Sequence, residues 1–157
     1  MPTSTAKPPA ARGALSWAFY DFANTIFSMN VISLYFPLWI ASEFSRGATF
    51  YAFAYSISML FVAVASPIAG SIGDRRGHKP ILIVASLLAI GLTPFLGVTH
   101  SLWGALLLFT GANFGYQLSL VAYNSLLTSV SEPRERGRVS GIGVALGYVG
   151  SFIGMLS

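Results

Sequence analysis

Charge is what this sequence has least of. Only 9% of its 157 residues are Asp, Glu, Lys or Arg, against roughly 25% in soluble domains. None of the four occurs between residues 47 and 73, or between 80 and 131. Charge this sparse cannot clothe a water-facing surface, so a soluble domain is excluded. Apolar runs of that length exceed the ~20 residues a helix needs to cross a bilayer core. Cysteine is absent, which excludes disulfides and thiolate metal sites. Acidic residues number five, too few for a carboxylate metal centre. Neither H-E-x-x-H nor G-x-S-x-G occurs. No catalytic residue, metal or cofactor is therefore expected, and the chain reads as a non-enzyme.

What is present is apolar: 54% of the residues, with a mean hydropathy of +0.68. The expected fold is all-α, a polytopic bundle of five transmembrane helices over about residues 15–40, 49–72, 81–98, 102–129 and 139–157. Trp17, Tyr20, Tyr35 and Trp39 lie towards the two ends of the first span, as an aromatic belt would place them. Pro37 and Pro67 are expected to bend their helices. Residues 1–13 are rich in Pro, Ala and Thr and read as a disordered tail. The apolar run after Arg12 is too long for a signal-peptide core and shows no convincing A-x-A cleavage site. The partner implied by these spans is the lipid bilayer. The net charge of +4 gives no reason to expect nucleic acid, because its basic residues cluster at the ends of apolar runs.

Those clusters set an orientation. Lys7, Arg12, Arg75, Arg76, Lys79, Arg134, Arg136 and Arg138 fall on one side of the expected membrane, and Arg46 alone falls on the other. The excess of Lys and Arg belongs in the cytoplasm, which places the N-terminus there.

Polar residues inside the spans are costly and usually face a bundle interior or a water-filled cavity. In the first span Asp21, Asn24, Thr25 and Ser28 share about 100° of helical arc. In the fourth, Asn113, Gln117 and Asn124 lie within about 40° of one another, flanked by Tyr116 and Tyr123. These seven are the candidate lining of a substrate pathway, with interhelical hydrogen bonding as the bland alternative for each carboxamide. Asp21 is the candidate proton-linked or amine-binding group. The third span, whose polar side chains are Ser86 and Thr93, is expected to face lipid. In the fifth, Gly143, Gly147, Gly150 and Gly154 form a groove for close helix packing.

The densest cluster of charge lies between the second and third spans. There Gly70, Gly73, Asp74, Arg75, Gly77, His78 and Lys79 follow the pattern G-x-x-x-D-R-x-G-[HRK]-K. Gly70 and Gly73 permit close approach, and Gly77 permits the positive φ of a tight turn. Asp74 is expected to pair with Arg136 or Arg138 of the connector between the fourth and fifth spans.

This loop resembles the one between the second and third helices of the major facilitator superfamily of transporters. The stretch Ser16-Trp17-Ala18-Phe19-Tyr20-Asp21-Phe22-Ala23-Asn24 is similar to the first helix of the superfamily's vacuole-effluxer-like branch. Tyr123 to Leu127, Arg136 to Gly141 and Ala145 to Gly150 resemble that branch's fourth and fifth helices. His78 departs from the usual Arg or Lys, and Phe22 from a frequent Trp. The resemblance implies an incomplete N-terminal six-helix half of a twelve-helix fold, residues 14–157, with a missing C-terminal half as partner. It implies alternating-access transport of a small polar solute, coupled to protons through Asp21. Amino-acid efflux is the activity of the fungal members, and a drug or sugar carrier is the alternative. An inactive truncated product is a further reading. The membrane would be the plasma membrane in a bacterium and the vacuolar membrane in a fungus. Gly147 is followed by Tyr148 rather than Pro, so the exporter motif of drug antiporters is missing.

Overall fold

The computed structural model describes residues 11–130 and 136–156, without the side chains of residues 11–15, 129, 130, 136 and 139. All of its regular structure is helical: α1 (Ala11–Phe27), a π-helical segment (Ser28–Leu34), α2 (Tyr35–Glu43), α3 (Gly47–Arg76), α4 (Lys79–Leu96), α5 (Leu102–Val130) and α6 (Arg136–Leu156). No strand occurs among the described residues. Among the described residues, four helical runs are long and apolar enough to cross a membrane: Ser16–Glu43, Gly47–Arg76, Lys79–Leu96 and Leu102–Thr128. Ser140–Leu156 is a fifth, shorter apolar helix. Ten of the thirteen residues expected to form a tail lie outside the described residues, and α1 already begins at Ala11.

The chain divides into two compact units, Met1–Ile26 with Leu127–Ser157, and Phe27–Leu126. In the second, α5 turns one face inward, through Ala105, Leu106, Phe109, Ala112, Asn113 and Tyr116, a helical repeat of three and four residues. Phe109 stacks on Phe36 of α2, with ring centroids 4.6 Å apart, and Tyr51 of α3 packs on the same ring at 5.1 Å. Small residues bring α4 against α5. A Cβ on Gly115 would stand 2.7 Å from the Ala85 carbonyl oxygen, so only glycine allows that approach. The opposite face of α4 exposes Ile83, Val84, Leu87 and Ile90, as a lipid-facing helix would.

The first span is not one continuous α-helix. Tyr35 N–H donates to the Asn30 carbonyl five residues back, and Leu34 departs from helical geometry at φ −123°, ψ −76°. In that five-residue register the donor owed to the Ile32 carbonyl is residue 37, which is Pro37 and has no N–H. The Tyr51 hydroxyl of α3 donates to Ile32 instead. Pro37 therefore acts upstream of itself, by removing a bond. Pro67, by contrast, sits inside a helix that continues to Arg76.

Candidate functional site

In the first unit the glycine face of α6 lies along α1. Gly143, Gly147, Gly150 and Gly154 are all buried. The Trp17 ring occupies the place a Cβ would take on Gly143. A Cβ on Gly150 would stand 2.7 Å from the Phe22 carbonyl oxygen. Between these contacts, a Cβ on Gly147 would stand 3.0 Å from Asp21 Oδ2 and 3.1 Å from Thr25 Oγ1. The missing side chain leaves room for the carboxylate inside the helix pair.

A cavity of about 200 Å³ opens there, lined by Asp21, Thr25, Val144, Gly147, Tyr148 and Ser151. Thr25 Oγ1 donates to the Asp21 backbone carbonyl at 2.8 Å, and Ser151 Oγ donates to the Gly147 carbonyl at 3.2 Å. Both hydroxyls thus commit their protons to their own helices and present lone pairs outward. The sequence marked Asp21 and Thr25 but not Ser151 or Tyr148. Ser151 was findable, one helical turn beyond Gly147 on the glycine face. Asn24, also expected in the pathway, is half-buried.

The remaining pathway candidates lie in the second unit and occupy unlike environments. Asn113 is 1% exposed, and its Nδ2 donates to Ser58 Oγ of α3 at 2.9 Å. Its Oδ1 has no hydrogen-bond partner among the described residues. Gln117 and Ser28 are half-buried and Asn124 is exposed. The 40° stripe on the fourth span is therefore not one surface: its upper member is held in the helix interface. Sequence reasoning missed Ser58, which is fully buried. The available signal was small residues four apart, Ala54 and Ser58, on one face of the span.

The charged loop is a tight turn. Gly77 takes φ +89°, and its N–H closes on the Gly73 carbonyl at 2.8 Å. The His78 imidazole sits where a Cβ would be on Gly73, whereas Gly70 has open space beside it. Close approach, expected at both glycines, occurs at Gly73 alone, because the loop folds back over the last turn of α3. Asp74 Oδ1 lies 3.6 Å from His78 Nε2, within the same turn. Arg75, Arg76 and Lys79 are exposed, the first two in the last turn of α3, where basic residues suit the helix dipole. Of the expected partners of Asp74, Arg138 is exposed and the side chain of Arg136 lies outside the described residues.

Comparison with known proteins supplies the family. Residues 12–157 match the family model of the Major Facilitator Superfamily. The chain is 30% identical over 150 residues to an uncharacterized MFS-type transporter, YxiO, of Bacillus subtilis, covering 88% of this chain and 35% of that protein. It is 33% identical over 148 residues to an uncharacterized protein of Aquifex aeolicus, covering 91% of this chain and 37% of the other. It is 32% identical over 108 residues to the multidrug resistance protein MdtG of Yersinia enterocolitica, covering 65% and 25%. The chain thus spans little more than a third of the length of the relatives it matches. No solved structure matches. With its membrane-length helices and this match along nearly the whole chain, the protein is a multi-pass membrane protein and belongs to the Major Facilitator Superfamily.

Proposed function

We propose that the protein is a secondary active transporter, or the N-terminal part of one, which moves a small solute by alternating access. The observation that carries this reading is the Asp21 carboxylate in a small cavity beside Gly147, within a membrane-spanning helix. Carboxylates inside membrane spans commonly mark substrate or proton pathways. Asp21 is the group through which proton and solute movement would be coupled.

For the solute, the relatives favour a drug-like compound, since MdtG is named for multidrug resistance. The amino-acid reading of the vacuole-effluxer branch rests on the sequence resemblance alone. The bacterial relatives favour the plasma membrane.

Asp21→Asn in the full-length gene product tests the assignment. Solute flux should fall at least tenfold at normal membrane abundance, with loss of its dependence on a proton gradient. Unchanged flux with unchanged pH dependence would make Asp21 structural.

A further inference from the structure

We infer that the cleft between α3 and α5 holds one acyl chain of an anionic phospholipid, whose phosphate sits on Arg75, Arg76 and Lys79 at the α3–α4 turn.

The cleft is the chain site. It measures about 670 Å³ and is lined by, among others, Phe61, Val64 and Ile68 of α3 and Phe114 of α5. Thr110 is its one polar side chain, and the Thr110 hydroxyl donates to the Leu106 carbonyl at 2.7 Å. A polar solute would give up its water here and find almost nothing to bond. Hydrocarbon gives up nothing, and both walls belong to membrane-length helices. Phe61, Val64 and Ile68 are each more than half exposed, so the cleft opens away from the helix packing.

One stripe of α3 leads from the cleft to the charged turn. Phe61, Val64, Ile68, Ile72 and Arg75 follow one another at helical spacings of three and four residues, and they share about 80° of arc. Ile72 is exposed as well, so the apolar track is unbroken. At ~1.5 Å per residue, Ile68 lies about 10 Å and Phe61 about 21 Å along the helix from Arg75. The hydrocarbon of one leaflet is about 15 Å deep, half of the ~30 Å core. A chain descending from a headgroup at Arg75 therefore enters the cleft within its own leaflet.

The turn supplies the head site. Arg75, Arg76 and Lys79 are exposed, and none of them makes an ion pair among the described residues. Asp74, the carboxylate of this turn, lies about 100° round the helix from Arg75 and faces His78 at 3.6 Å. A guanidinium grips a phosphate through paired N–H bonds, and three cations so close together suit an anionic lipid. A zwitterionic head would bring its own cation to the cluster, which disfavours it.

The test is photocapture in the full-length gene product, with a benzophenone side chain in place of Ile68 or, as control, of Leu87 on the exposed face of α4. Nanodiscs carry phosphatidylcholine with about one phosphatidylglycerol in ten lipids, and mass spectrometry identifies what is captured. At residue 68 phosphatidylglycerol should exceed its share of the bilayer roughly fivefold or more, and at residue 87 it should match that share. Arg75→Gln combined with Arg76→Gln should remove the enrichment. So should ~1 M salt, which screens the headgroup contact without any substitution. Val64→Trp should remove it too, by filling the cleft from an exposed position. Equal capture at residues 68 and 87 overturns the proposal, leaving ordinary bilayer contact. Capture of polypeptide instead of lipid at residue 68 overturns it in favour of a protein segment over the cleft. Enrichment that survives both the arginine variant and salt overturns the head site, and enrichment that survives Val64→Trp overturns the chain site. Competition by glycerol phosphate at low millimolar concentration overturns it in favour of a free phosphate.

Discussion

The Tyr51 hydroxyl donates a hydrogen bond to the backbone carbonyl of Ile32, nineteen residues earlier in the chain. It replaces the donor that Pro37 cannot provide in the π-helical register. A side chain on α3 thus satisfies a backbone carbonyl in the first span, as backbone groups within a bilayer require. π-Helical segments concentrate at functional sites, and this one immediately follows the helix that carries Asp21.

Removing the strut should therefore be felt. Tyr51→Phe keeps the ring that packs on Phe109 and deletes only the donor. A loss of about 1 kcal/mol is expected, in the range of hydrogen bonds between membrane helices. Thermal unfolding of the full-length gene product in detergent measures it. The cause is checked by adding Pro37→Ala, which restores a backbone N–H at residue 37. The double variant should recover most of the loss, and failure to recover would mean that the carbonyl's partner is immaterial.

The glycine face of α6 gives a sharper contrast. A side chain on Gly143 collides with the Trp17 ring, whereas Gly141 has nothing within 4 Å. Gly143→Leu should destabilise the protein by several kcal/mol or abolish its accumulation, as overpacking does. Gly141→Leu should be nearly silent. Membrane abundance and melting temperature decide it, and equal tolerance of both would show that α6 does not pack through this face.

Spans and packing faces were legible in the sequence because both depend on composition at fixed periods. The absence of charge marked the long helices, and the i, i+4, i+7, i+11 glycines marked the inner face of α6. The lining of the site was only half legible. Asp21 and Thr25 stand out as polar residues in an apolar run, but Ser151 and Tyr148 gain meaning only from their place beside Gly147. Asn113 shows the converse. Its arc on the helix predicted a pathway position, yet arc alone does not say which neighbour the face meets, and that neighbour is Ser58. The π-helical segment was illegible, because it depends on a proline's missing donor and on a tyrosine from another helix.

From the uneven distribution of Lys and Arg we expect a cytoplasmic N-terminus, which can be checked in intact cells. Cysteine introduced at Arg46 or His100 should react with an impermeant maleimide added outside. Cysteine at Arg76 should react only after the membrane is opened. The absence of native cysteine makes the background low. The reverse pattern would invert the topology and, with it, the side from which the Asp21 cavity is approached.

The last expectation concerns Asp74. It lies in the last turn of α3 amid Arg75, Arg76 and Lys79, and its carboxylate is 3.6 Å from His78 Nε2. An exposed contact of that kind contributes little stability at ordinary ionic strength. We expect its larger role to be a pairing with Arg136 or Arg138 at the entrance of α6. The grounds are charge and expected topology: one carboxylate in a basic loop, and a basic connector that the Lys and Arg distribution is expected to put on the same membrane side. Charge exchange tests the pairing. Asp74→Arg alone should reduce solute flux several-fold, since it sets like charges against each other. Combining it with Arg138→Asp, or with Arg136→Asp, should restore flux if the two loops meet during the transport cycle. The double-mutant cycle isolates that coupling from the effect of each change alone. Loss of flux without recovery in either combination, at equal abundance, would mean that Asp74 does not act through this connector.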